Sequence, residues 1–339
     1  MPAGSTAIAD LHVGQRQALP IMATAMPLIV PFASTVSESG RHTLQSLALP
    51  YLERLLNQLT PTVSLGSDEY SLCPPHELAA ASVLGWPVVD GALPWAAQDA
   101  RQAGFNLSGP EQAGLAWARL TPVHLHLGTD RVSLTNPAEL QLGEADSREL
   151  LEAVRDLFQS EGFGLHWLAA AAQWLATHPL FDGLATASLD RVIGRNVDLW
   201  LPDQASARLL RRLQNEVQML LYTHPLNDRR EAAGLPTANS FWCSGCGRAA
   251  PASSATVSLH IDDRLRDPAL AEDWAAWSEA WARLDAGPLR QLLGSGAPIT
   301  LWLCGERLAQ CFESQPRGWW QRVQSTWQRP SALQALEAL

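Results

Sequence analysis

Apolar residues in this chain come either in short unbroken runs or at helical spacing, and the two patterns alternate. Leu28-Ile29-Val30 has no polar interruption, the pattern of a short strand buried on both faces of a parallel sheet. Leu47, Leu49, Tyr51, Leu52, Leu55 and Leu56 then recur at helical spacing, with Pro50 near the start, where a helix tolerates it. Residues 76–84 read as a helix ended by Gly85. From 116 the pattern shifts. Val123-His124-Leu125-His126-Leu127 alternates, and 131–134 pairs with it across Gly128-Thr129-Asp130. Asp146 and Glu149 open an amphipathic helix over 147–161, and 162–167 and 172–175 predict two more strands of the same small sheet.

A long helix is expected over 203–223, with Leu209, Leu210, Leu213, Val217 and Leu220 on one side. Residues 240–243 and 256–261 read as buried strands, and 298–304 as another. Between them 270–293 is helical, with Trp274, Trp277 and Trp281 at spacings of three and four, and a last helix is expected near 316–327. No internal repeat is present. Strands alternate with helices at both ends, which predicts an α/β fold with a mostly parallel central sheet. The expected core comprises 25–115 and 183–339, with a smaller inserted α+β domain at 116–182 and a loose segment over 1–24.

The 339 residues suit two domains, or one large domain with an insertion. Hydrophobic residues make up 47% and charged residues 17%, which permits a sizeable core and excludes wholesale disorder. A net charge of -10 argues against a nucleic-acid or membrane-surface binder. All 24 basic residues are arginine. Without lysine there is no Schiff base, no pyridoxal-phosphate anchor and no Walker-type phosphate loop. Five scattered cysteines are not a disulfide framework and fit a reducing cytoplasm. The apolar stretch 18–33 carries Pro20, Pro27 and Pro31, too short and broken to span a bilayer.

Three groups of residues invite chemistry. Cys243-Ser244-Gly245-Cys246 is a C-x-x-C, yet no second pair completes a zinc site, and no helix start follows to activate a redox thiol. It reads as two small residues in a glycine-rich turn, metal-free and dispensable. His124 and His126 share a strand face without a carboxylate to complete a metal site. The densest polar stretch, 186–248, offers Arg195, Asn196, His224, Asn227, Arg230 and Asn239. These suit an anionic ligand in one cleft, or salt bridges and helix caps in a domain seam.

Residues 223–247 carry His224-Pro225-x-Asn227 and Gly234-Leu235-Pro236-x-Ala238-Asn239-Ser240-Phe241-Trp242-x-x-Gly245-x-Gly247. This block resembles the archaeal-type cofactor-independent phosphoglycerate mutases, metalloenzymes of the alkaline-phosphatase-like superfamily. Leu28-Ile29-Val30, Leu49-Pro50-Tyr51-Leu52-x-Arg54-Leu55, Leu84-Gly85-Trp86-Pro87, Val257-Ser258-Leu259-His260-Ile261-Asp262 and 299–307 extend the likeness loosely. Residues 186–247 are more specifically similar to proteobacterial regulatory proteins of the RpfE type. The resemblance implies a three-layer α/β core. In the mutases it also implies two metal ions and a serine that carries the phosphoryl group. Here Pro31-Phe32 stands at the first-strand aspartate, Pro75-His76-Glu77 at the serine, Asp262 after a late strand, and Glu306-Arg307 at the aspartate–histidine pair. Arginine cannot replace a neutral histidine on a metal. The resemblance with these departures implies a relative without metal or cofactor, acting in regulation or binding. Its partner would be an anionic small molecule, or a protein engaged through Trp319, Trp320 and Trp327. The alternative is an active mutase or phosphotransferase with a rebuilt site.

Overall fold

The computed structural model describes residues 26–66, 68–107, 114–168, 173–202, 207–250, 258–314 and 331–339. Its strands are β1 (Leu28–Val30), β2 (Thr60–Gly66), β3 (Ala116–Val123), β4 (Leu125–Leu127), β5 (Val132–Leu134), β6 (Gly164–Leu168), β7 (Gln173–Thr177), β8 (Ser240–Arg248), β9 (His260–Ile261), β10 (Thr300–Cys304) and β11 (Leu308–Glu313). Its helices are α1 (Glu38–Ser46), α2 (Pro50–Gln58), α3 (Pro75–Val83), α4 (Trp95–Gln102), α5 (Glu144–Ser160), α6 (Leu189–Val192), α7 (Arg208–Tyr222), α8 (Pro225–Ala232), α9 (Arg266–Leu270), α10 (Trp274–Leu284), α11 (Arg290–Gly294) and α12 (Ala332–Glu337).

The central sheet has the order β2-β11-β10-β1-β9. Strand β1 lies parallel to β10, with Ile29 beside Trp302, and parallel to β9, with Ile29 beside Ile261. Strand β11 is antiparallel to both β10 and β2, so it alone runs against the other strands. The sheet is therefore mostly parallel, as expected. Side chains alternate across a strand, and β1 uses both faces. Leu28 and Val30 join α1, α2, α10 and α12 through Leu44, Leu52, Leu55, Trp277, Trp281 and Leu336. Ile29 faces the other way, onto Ala79, Ala80 and Val83 of α3. Three layers result, and the tryptophan stripe of α10 supplies two of the fully buried side chains.

After α10 the chain makes a π-helical turn, Asp285–Leu289, with Pro288 inside it. Its buried Asp285 accepts hydrogen bonds from Tyr51 N (3.2 Å) and Leu52 N (2.7 Å). Helix α2 has no side-chain cap of its own, so Asp285 satisfies N–H groups that a helix start leaves free.

A second, antiparallel sheet has the order β6-β7-β3-β8. One face is covered by α5 and α7 through Leu150, Val154, Phe158, Leu210, Leu213 and Val217. The other meets Ala96, Ala97 and Ala100 of α4. Strands β4 and β5 form the expected hairpin beside it. The sheet does not close within 116–182, because β8 pairs along almost the whole of β3. Phe241, Cys243 and Cys246 of β8 are apolar enough to share the core beneath α7. The expected division at 182 therefore does not separate the two sheets.

Other local expectations shift. Helix α5 starts at Glu144, with Gly143 as its N-cap, and Asp146 lies inside its first turn, paired with Arg230. Strand β8 runs on through Cys246 rather than ending in a turn at Cys243. Strand β9 is only two residues long and exposed, since it forms the sheet's edge. The expected segment 1–24, the helix near 316–327 and Trp319, Trp320 and Trp327 lie outside the described residues. No described helix is long and apolar enough to cross a membrane.

Candidate functional site

Strands β9, β1 and β10 run parallel and finish at one edge, where open α/β sheets bind ligands. The residues just beyond their ends therefore meet. Ala33 N donates to Cys304 O (2.7 Å), and Asp262 N to Ile29 O (2.9 Å). Between them Phe32 adopts φ +54, a conformation that non-glycine residues rarely take. Its carbonyl accepts from Trp277 Nε1 at 3.0 Å, which holds it there.

Helix α3 lays the His76 ring against Phe32, with centroids 5.5 Å apart. Its Nε2 lies 3.3 Å from Asp190 Oδ2 on α6. Asp190 also accepts from Arg266 at the start of α9, from Nε at 3.0 Å and Nη2 at 2.5 Å. Burial alone would raise the Asp190 carboxyl, but His76 and Arg266 outweigh it and hold the group well below the usual carboxylate range. Asp263, by contrast, is raised, first by burial, with Asp190 and Asp262 opposing its charge.

Glu306 closes the other side. Its carboxylate accepts from Thr35 Oγ1 (2.8 Å), Val36 N (3.0 Å) and Arg195 Nη2 (3.3 Å). Its backbone carbonyl accepts from Arg191 Nη1 at 2.8 Å, and Arg191 also donates to Cys73 O. Arg191 is buried, and its Nε has no partner among the described residues. Asp262 accepts from Arg264 Nε at 2.6 Å. Arg307 points elsewhere, to Glu69 at 3.2 Å.

One residue after His76, Glu77 sinks between the two sheets. It accepts from Ser188 Oγ (2.6 Å) and Trp95 Nε1 (3.2 Å). Burial raises its pKa, a shift that His76, the Ser188 hydrogen bond and Arg119 only reduce. Arg119 of β3 is held in turn by Asp99 of α4. A cavity the size of a single water lies here, lined by Glu77, Arg119, Thr186, Ser188 and Ser244.

The expected site residues divide. Phe32, His76, Asp262 and Glu306 lie at this edge, while Arg307 turns away to Glu69. Of the polar set, Arg195 joins this edge through Glu306 and packs over the Trp200 ring at 5.9 Å. The remaining five are engaged with backbone. Asn196 caps the turn at Asp198, and His224 caps α8 at Leu226. Asn227 bonds Leu221 O and both polar groups of Ala238, and Asn239 pairs with Leu125 like a strand. Arg230 is buried and donates to Pro236 O, Asp146 and Leu140 O. Five of the six thus serve as caps and staples, the second of the two roles their chemistry allows. Arg266 was missed, although Asp262-Asp263-Arg264-Leu265-Arg266-Asp267 is a dense charge run straight after a strand.

The two metal ions implied by the resemblance do not fit this donor set. Asp190 is paired with Arg266, Glu306 with Arg195 and Asp262 with Arg264. Each of these three carboxylates already faces a guanidinium, which cannot ligate a metal. Among the described residues no group of three or more histidine, cysteine or acidic side chains is arranged to hold a metal.

No protein-family model matches the chain. No curated protein matches it either. Among solved structures it is similar to a cofactor-independent phosphoglycerate mutase from Thermoplasma acidophilum DSM 1728, at 12% identity and TM-score 0.36, covering 86% of this chain and 90% of that one. It is also similar to the PH0037 protein from Pyrococcus horikoshii, at 12% identity and TM-score 0.41, covering 85% and 87% of the two chains. Likeness of this degree says nothing about activity.

Proposed function

We propose that this chain is a regulatory or binding protein on a phosphoglycerate-mutase-like frame, in which arginine–carboxylate pairs have replaced a two-metal phosphoryl-transfer site. The observation that supports this reading is the pairing of Asp190 with Arg266 and of Glu306 with Arg195 at the strand ends. Where a metal site would leave carboxylates open to cations, this edge presents guanidinium groups, which suit a small anion. Arg195 is the accessible one: its side chain is 39% exposed and its bond to Glu306 is long at 3.3 Å. An incoming phosphate or carboxylate competes with Glu306 for that fork. The partner is then an anionic small molecule and the outcome of binding is regulatory.

The test has two arms. Conversion of 3-phosphoglycerate is measured with manganese, magnesium and zinc supplied, and no turnover is expected. A turnover number of about 1–1000 per second would overturn the reading. Calorimetric titration with 3-phosphoglycerate and inorganic phosphate checks the anion. Arg195→Ala is expected to weaken binding about tenfold, the loss of one charge-assisted hydrogen bond, with the fold unchanged.

The His76–Asp190 pair favours a second reading, a rebuilt phosphotransfer site. A carboxylate-oriented imidazole is a general base, or an acceptor for a phosphoryl group. Turnover that disappears in His76→Asn would carry this alternative.

A further inference from the structure

Cys243 and Cys246 take no part in the strand-edge site. Strand β8 passes through both, and its pairing with β3 slips between Trp117 and Arg119. Gly245 takes φ +64 at that slip, so an extra residue is accommodated as a β-bulge. In a regular strand, residues three apart face opposite sides. The bulge cancels that alternation, and both sulfurs enter the core beneath α5 and α7. They are 5% and 1% exposed, with Sγ–Sγ 3.6 Å.

The other cysteines are placed differently. Cys73 accepts from Gly91 N, and Cys304 and Cys311 lie on adjacent strands opposite Ala309 and Trp302 rather than each other. Two sulfurs in an apolar core, with no third donor among the described residues, do not make a zinc site. A disulfide needs about 2.05 Å between sulfurs, within reach of side-chain rotation from 3.6 Å.

We propose that Cys243 and Cys246 form a reversible dithiol–disulfide site, closed by a bond within one strand across the β8 bulge. The oxidant is a small-molecule disulfide such as oxidised glutathione. One cysteine attacks it, forming a mixed disulfide and releasing one glutathione as thiol. The second cysteine displaces the other glutathione, closing the intrastrand bond. The two cysteine protons end on the released thiols, and the pair gives up two electrons to the disulfide it reduces. The hydrogen bond with Cys246 and burial both push the Cys243 thiol up, so the attack waits on opening of the cover above it. The bulge also touches the neighbouring layer. A Cβ at Gly245 would lie 3.1 Å from Trp95 Cβ and 3.2 Å from Ala96 N, so closing the bond would fix the surface on which α4 rests.

The full chain is equilibrated in oxidised and reduced glutathione by two routes, from native protein and by refolding from denaturant. Free thiols are then alkylated and tryptic peptides mapped. Cleavage after Arg230 and Arg248 puts both cysteines, and no others, in one peptide. The expected result is loss of two of the five thiols, in that peptide, lighter by two hydrogens, restored by dithiothreitol, with an unchanged circular dichroism spectrum. Formation by refolding alone also supports the proposal, with burial setting the rate. Cys243→Ser is expected to leave at most a glutathione adduct on Cys246. The proposal is overturned if refolding in oxidising buffer leaves all five thiols free, pairs either cysteine with Cys73, Cys304 or Cys311, or yields a bonded protein that has lost its fold.

Discussion

Asp190 is reached from two distant parts of the chain, by His76 of α3 and by the Arg266 guanidinium of α9. Removing its charge strands two polar partners in a largely buried place. Asp190→Asn is expected to cost about 3 kcal/mol in denaturant unfolding at neutral pH. The sign of its pH dependence follows from its depressed pKa. The stabilisation is present above the unfolded carboxylate value of about 3.9 and is lost as pH falls through the lower folded value. Glu77 behaves oppositely. Its folded pKa is raised, so its contribution is full below the unfolded value and is lost as pH rises through the folded one. Glu77→Gln is therefore expected to raise stability at neutral pH and flatten the curve there, as read from denaturation midpoints across pH. The sequence placed Phe32, Asp262 and Glu306 just past apolar strands and His76 at a helix start; that these positions share one edge comes from the strand order. Asn227, Arg230 and Asn239 left two readings open because a side chain that binds backbone has the same polar chemistry as one that binds a ligand. Only the partner distinguishes them, and the partners of Asn239 and Arg230 lie far away in the chain, at Leu125 and Leu140.

Among the elements, α2 depends on a turn that lies more than 230 residues later. Asp285→Ala leaves Tyr51 N and Leu52 N uncapped, and a loss of about 1 kcal/mol is expected from thermal unfolding. Asp285→Asn, which keeps an acceptor oxygen, should recover part of it. The strongly patterned elements were readable: the three apolar residues of β1, the leucines of α7 and the tryptophans of α10 each have one dominant period. The irregular ones were not. A bulge at Gly245 adds a residue without changing composition, so the end of β8 looked like a turn. Strand β9 looked buried because its neighbours are apolar, but an edge strand is covered on fewer sides.

At the scale of the whole molecule the two sheets differ in how much chain they need. Strands β3, β6, β7 and β8 and helices α5 and α7 all fall within 116–248. The central sheet cannot form without β9 and β10. A chain ending at 250 is expected to protect amides of β3 and β7 from hydrogen exchange while those of β1 exchange freely. Protection of β1 in that shortened chain would refute this division. The seam is nevertheless well made, since Trp242 Nε1 donates to Ala187 O at 2.9 Å and the Ser188 hydroxyl, donating to Glu77, ties α6 to α3. The register of β1 has one more consequence, in time rather than energy. Leu28 pairs with Leu301, about 270 residues later. At roughly 5–20 residues per second, a ribosome needs about 14–55 seconds to supply that partner. Until β9, its other neighbour, emerges late in that interval, the strand has α1 and α2 for cover but no sheet to join, and shelter from other nascent chains becomes part of how the protein is made.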